Sequence, residues 1–169
     1  MVWNEIILKK GRKMDKERLI TKLKVTKMFF DRSTDCLTDE DSNFSPKDGM
    51  LTTAQQIAHV AQTFDWFMEG AFSPNGFDMN FEKHFTQIGK IQTVSEARKW
   101  LDESYESAIS KIENSTEEEL NLPIVDNPVM GGCPRNSAIG GIEEHTSHHR
   151  GSLAVYSRLL GKEPKMPYA

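Results

Sequence analysis

No segment of this chain alternates apolar and polar residues for long enough to make a strand, while four segments repeat apolar residues every three or four positions. Alternation marks a half-buried strand and the three-to-four repeat marks an amphipathic helix, so the pattern predicts an all-α fold. The first segment runs from Asp15, a suitable N-cap, to Cys36, with Leu19, Leu23, Thr26 and Phe30 on one face. The second opens at Thr52 or Thr53, because Thr52 with Gln55 and Thr53 with Gln56 both fit a capping box, and it stops at Gly70. Ile57, Val60, Ala61, Phe64, Phe67 and Met68 form its main stripe. The third opens at Thr93, with Glu96 completing a capping box, and carries Val94, Ala97, Leu101, Tyr105, Ala108 and Ile112 on its apolar face. A further helical turn is expected over Ser115–Leu120. Ser137 opens the fourth segment, whose Gly140, Gly141 and Gly151 admit close approach by a neighbour, and Gly161 with Pro164 stops it. Four such helices imply a four-helix bundle.

Long irregular loops join them. Leu37–Met50 is rich in Asp, Ser, Asn, Pro and Gly, and Leu122–Arg135 reads as a loop or a short β-turn excursion. Phe72–Gln92 also reads as a loop, with His84 an ordinary polar residue inside it. Residues 1–13 are expected to be a frayed lead-in, and 14–169 a single domain long enough to bury a sizeable core.

Three of the five histidines fall within five residues of the fourth helix. At about 100° per residue, Ile142, His145, His149, Leu153, Tyr156 and Leu160 share one stripe, and His148 lies toward its edge. A single histidine on an apolar stripe is ordinarily a core residue with a hydrogen-bonded ring. Two imidazoles one turn apart raise the demand to as many as four ring nitrogens needing partners, and a metal ion satisfies two of them at once. His59 lies off the main stripe of the second helix, on the side carrying Gln55, Gln62 and Trp66. That second face is an exposed patch, a dimer surface or a pocket lining, and periodicity does not choose among them.

Composition narrows the partners. The formal net charge of −4 argues against a nucleic-acid-binding surface, which needs clustered positive charge. No apolar run approaches the roughly 18–20 residues of a membrane span. The N-terminal stretch places its charges after its apolar residues, the wrong order for a secretory signal. Two distant cysteines, Cys36 and Cys133, fit a reducing cytoplasm.

The run from His145 through His149, Arg150 and Gly151, the following Tyr156–Gly161 segment and the tail with Pro164, Pro167 and Tyr168 together resemble the DinB family of metal-binding four-helix proteins. That family includes the YfiT-like proteins, mycothiol-dependent maleylpyruvate isomerases and bacillithiol transferases. The stretch Gln56 to Val60, with His59, resembles the family's second signature. The likeness spans about Asp15 to Tyr168. It implies a bundle of unusual helix order, a homodimer, and a divalent metal held by His59, His145 and His149 with an open position for a small-molecule substrate. Relatives often carry Gln where this chain has Ser152, a neighbour of the site.

Three neutral imidazoles with an open position form the pattern of a catalytic centre, and zinc or nickel suits such ligands. The implied chemistry is hydrolysis, or S-transfer from a low-molecular-weight thiol cosubstrate. A non-enzymatic metal- or small-ligand-binding stress-response protein is the alternative, and a structural dimer with core histidines a third. No general base stands out: Asp65, Glu143 and Glu144 read as solvated acids. Trp66 reads as packing or pocket lining, Arg150 as half of a salt bridge, and Cys133 as an idle thiol.

Overall fold

The computed structural model describes residues 15–168; the lead-in expected at 1–13 lies outside them. Six helices are present among the described residues: α1 (Lys16–Thr34), α2 (Thr53–Phe72), α3 (Phe81–Gly89), α4 (Val94–Asn114), α5 (Glu117–Asn121) and α6 (Ala138–Leu159). No regular strand occurs among those residues, only an isolated bridge between Pro123 and Pro134.

The long helices start where the sequence places them. Asp15 accepts from Arg18 N, and Thr93 with Glu96 forms the expected capping box. At α2 the choice falls on Thr52 with Gln55, which leaves Gln56 to turn inward. At the far end of α6, Gly161 adopts φ 75°, Lys162 N donates to Ser157 O at 2.9 Å and Gly161 N to Arg158 O at 3.0 Å. A side chain disfavours that left-handed backbone, so glycine terminates the helix.

The directly packed pairs of long helices are α1–α6, α6–α2, α2–α4 and α4–α1, so α1 and α2 sit across a diagonal. Cross-helix contacts fix the directions. Lys16 Nζ donates to Glu113 O at 2.5 Å, and Arg98 Nη2 to Thr34 O at 2.5 Å, making α1 and α4 antiparallel. Lys22 pairs with Glu143 at 2.6 Å and Cys36 meets Ser157, making α1 and α6 parallel. Asp65 accepts from Trp100 and Lys111 lies over Phe72, making α2 and α4 parallel. The four long helices therefore run up, down, down, up. Leu19, Leu23 and Phe30 of α1, Ile57 and Phe64 of α2, Leu101 and Ile112 of α4, and Ile142 and Leu153 of α6 fill the centre, each at most 1% exposed.

Parallel α2 and α4 require the chain to return along the bundle between them. That return is where the structure departs from the expected loop. Asn80 caps a helix, accepting from Lys83 N at 3.1 Å, and α3 packs on the outside of α2. Between α4 and α6, the turn through Met130 (φ 59°) and Gly132 (φ 80°) folds Ile124 and Cys133 into a second apolar cluster with Phe77.

Candidate metal centre

Antiparallel packing of α2 on α6 brings His59, His145 and His149 together. One ring nitrogen from each lies within 4.8 Å of the others. His145 Nε2 and His59 Nε2 are 3.2 Å apart. The third ring is oriented by a buried relay whose direction follows from its far end. The Leu51 carbonyl can only accept, so the Tyr156 hydroxyl donates to it, at 3.0 Å. Gln56 Nε2 donates to the Tyr156 oxygen at 3.3 Å, which leaves Gln56 Oε1 to accept from His149 Nδ1 at 2.6 Å. With its proton on Nδ1, His149 turns the Nε2 lone pair toward the other two rings.

Burial keeps these rings neutral. It pushes the His149 pKa down to about 3 and that of His145 to about 4, reinforced in both by neighbouring imidazoles. His59 is lowered by burial in the same direction. Its Nδ1 is buried with no hydrogen-bond partner. Three neutral imidazoles gathered this closely, with no carboxylate in the cluster, could hold a divalent metal ion.

His59, Gln62, Thr63 and Trp66 on the second face of α2 line a pocket, one of the three alternatives open for that face. A cavity of about 150 Å³ lies against His59 and His145. Gln62, Thr63 and Trp66 border it from α2, and Phe81, His84, Phe85 and Ile88 close it from α3. Trp66 Nε1 donates to Asp78 O at 2.7 Å, and His84 Nε2 meets the same carbonyl at 3.0 Å. A second cavity of about 280 Å³ touches the other side of His145, between Phe67, Met130 and Glu144. Phe67 borders both cavities and rests on Gly141, where a Cβ would come within 2.4 Å of its ring. Of the three glycines expected to admit a close neighbour, Gly141 alone does so; Gly140 and Gly151 face open space.

A model described as the DinB superfamily matches residues 23–153. The chain belongs to the DinB superfamily. Among solved structures it is similar to a DinB-like protein from Bacillus cereus ATCC 10987, at 16% identity and TM-score 0.69, over 89% of this chain and 95% of that one. It is also similar to the colibactin self-resistance protein ClbS in complex with a double-stranded DNA, at 15% identity and TM-score 0.64, over 85% and 95% of the two chains. A Streptococcus pneumoniae protein aligns at 13% identity and TM-score 0.63, over 94% of this chain and 95% of that one. No curated protein matches. The TM-scores establish a shared fold with these proteins.

ClbS corrects one expectation. Nucleic acid was excluded on the net charge of −4, yet a protein of this fold is crystallised with a duplex. Net charge sums the whole surface, whereas a duplex is met by a local patch, so the sum does not exclude that partner. For membranes, no helix among the described residues is long and apolar enough to cross one.

Other side chains find partners that the sequence did not assign. Asp65 is half-buried and accepts from Trp100 Nε1 at 2.8 Å, and burial raises its pKa. Glu143 pairs with Lys22, and Arg150 stacks on Phe29 and Tyr168, 5.7 and 5.9 Å from their ring centroids, in place of the expected salt bridge. Ser152 Oγ donates back to His148 O at 3.2 Å within its own helix. Sequence reasoning missed Gln56 and His84. The two overlapping capping boxes hid Gln56. For His84, the signal was present in the spacing of Phe81, His84, Phe85 and Ile88 behind a capping Asn80.

Proposed function

We propose that this DinB superfamily member is a metal-dependent enzyme in which His59, His145 and His149 hold one divalent ion, zinc or nickel, and turn over a small electrophilic substrate as a hydrolase or thiol-dependent S-transferase. The observation that carries the reading is the convergence of three burial-neutralised imidazoles, two of which, His59 and His145, also line a largely apolar cavity. Such a centre, when loaded, supplies Lewis acidity that brings a bound water toward pKa about 7 or keeps a thiol as thiolate.

The chain's own residues do the remainder. Gln56 fixes the His149 tautomer, and Ile88, Phe85 and Trp66 give the chamber its apolar lining. His84 is held through Nε2 by the Asp78 carbonyl and lines the chamber from α3. A cytoplasmic setting, with a reduced thiol pool, would supply the cosubstrate of the transferase form.

The test is elemental analysis of untagged protein beside a His59/His145/His149→Ala variant, followed by turnover of an activated ester and of a chlorodinitrobenzene with a small thiol. About one equivalent of zinc or nickel per chain, lost with the histidines together with turnover, supports the reading. Bound metal without turnover points to a sequestering protein, and no metal after reconstitution defeats the site. A DNA duplex belongs in the same ligand screen, because ClbS is crystallised with one.

A further inference from the structure

The chamber beside the three histidines has a size and a lining that go beyond a generic active-site pocket. Its volume is about 150 Å³. An apolar cavity of roughly that size takes up a benzene-sized ligand without strain. Its walls are the side chains of Trp66, Phe81, Phe85 and Ile88, and the polar groups of His59 and His145 stand together on one side. Phe85 presents a flat face toward His59, with the two rings inclined by 24° and their centroids 6.3 Å apart. An occupant is therefore met mostly by ring faces and aliphatic carbon, with His59 and His145 at one end and Gln62, Thr63 and His84 also on the wall.

We infer that the substrate carries a single flat, ring-sized apolar group, aromatic or an unsaturated carbocycle, with its reactive polar end against His59 and His145. The inference deepens the proposed function and rests on it for the identity of the reacting end. The steric part rests on the cavity alone. A fused bicyclic group is much larger than a single ring, so it fits this volume less well unless α3 moves outward. The roof is also the part of the chamber that can be changed with least damage. Phe81 and Phe85 are 50% and 56% exposed, and α3 packs chiefly on α2.

The experiment uses the full chain and two probes of matched polarity, benzyl alcohol and 1-naphthylmethanol, followed by saturation-transfer NMR. Zinc-loaded and chelator-treated protein are measured in parallel. Wild-type protein should bind benzyl alcohol saturably and prefer it to the bicyclic alcohol in both forms. Phe85→Ala, which removes one wall, should shift the preference toward 1-naphthylmethanol on the order of tenfold. Phe85→Trp, which narrows the chamber, should weaken benzyl alcohol; thermal melts establish that both variants fold. Absence of saturable benzyl alcohol binding in the wild type overturns the inference whatever the variants do. So does a preference indifferent to both substitutions. Zinc content is determined separately on the same samples. Ring binding that survives in chelated protein, in a chain that takes up no zinc, would leave the chamber standing and remove the metal reading.

Discussion

Replacing Gln56 by leucine tests the most specific feature of the centre, the relay that gives His149 its tautomer. Gln56 is 8% exposed, and its carbonyl receives the His149 Nδ1 proton at 2.6 Å. Leucine conserves volume and removes the acceptor. The stranded N–H then costs about 1–3 kcal/mol if the ring keeps its present tautomer. The ring can escape that cost by moving the proton to Nε2, which blocks the nitrogen needed for the metal. Either way zinc affinity should fall about 10–100-fold, the usual effect of losing a group that orients a ligand histidine. Urea unfolding at fixed free zinc reads this directly. At a free zinc concentration 100 times the wild-type Kd, metal stabilises the wild type by about 2.7 kcal/mol. The same zinc should add only about 1.4 to 0.4 kcal/mol to the variant. Gln55→Leu is the control one residue away. Gln55 serves the helix cap through Thr52 N at 3.0 Å, so its loss should lower stability equally with and without zinc. A zinc increment unchanged in Gln56→Leu, or reduced as much in Gln55→Leu, would refute the relay.

Two further predictions concern the same cluster. The pKa values of His145 and His149 are lowered from 6.5 to about 4 and about 3, so between those values and 6.5 the unfolded chain binds more protons than the folded one. Stability of metal-free protein is therefore full above pH about 6.5 and falls as the pH drops toward 4; His145→Ala should flatten that slope in urea titrations, and an unchanged slope would show that the ring is not held neutral. Gly141→Ala places a methyl group 2.4 Å from the Phe67 ring, which must move into one of the two cavities it separates. A loss of about 1–3 kcal/mol from overpacking is expected, with weaker ring binding if Phe67 moves toward His59; a variant as stable as wild type would show that Phe67 has room to spare.

The helices were legible because burial imposes a period, and the same stripes reappear as Leu19, Leu23 and Phe30 or Ala97, Leu101 and Ile112 in the core. His145 and His149 were legible on one face because their spacing matches a helical turn. Their meeting with His59 came from resemblance, since no local pattern says which faces of two helices 86 residues apart will touch. The partners of Asp65 and Arg150 were hidden for the same reason: Trp100 and Tyr168 reach them only through tertiary packing. At Gln56 the limit was different. Two registers of one capping motif were locally equivalent, and the choice was made by a tyrosine 100 residues away.

Helix direction explains why the chamber has a roof at all. With α2 and α4 parallel, the chain leaving Phe72 must travel back along a 20-residue helix, about 30 Å, before Thr93 can begin α4. An extended chain covers that distance in roughly ten residues. The segment 73–93 is longer than the span demands, and the surplus coils into α3 over the open side of α2, carrying Phe81, His84, Phe85 and Ile88 to the cavity. The three histidines of the proposed metal site, by contrast, stand on α2 and α6, and α3 reaches them through Phe85, whose ring faces His59 at 6.3 Å. Replacing residues 79–90 with a Gly/Ser linker long enough to make the crossing should therefore separate the two halves of the site. Zinc uptake should persist, because His59, His145 and the Gln56–His149 relay are untouched, while benzyl alcohol binding and any turnover should disappear. Loss of zinc together with the roof, in a variant whose helical circular dichroism is retained, would show that α3 holds the histidines in place and that the chamber and the centre are one cooperative unit.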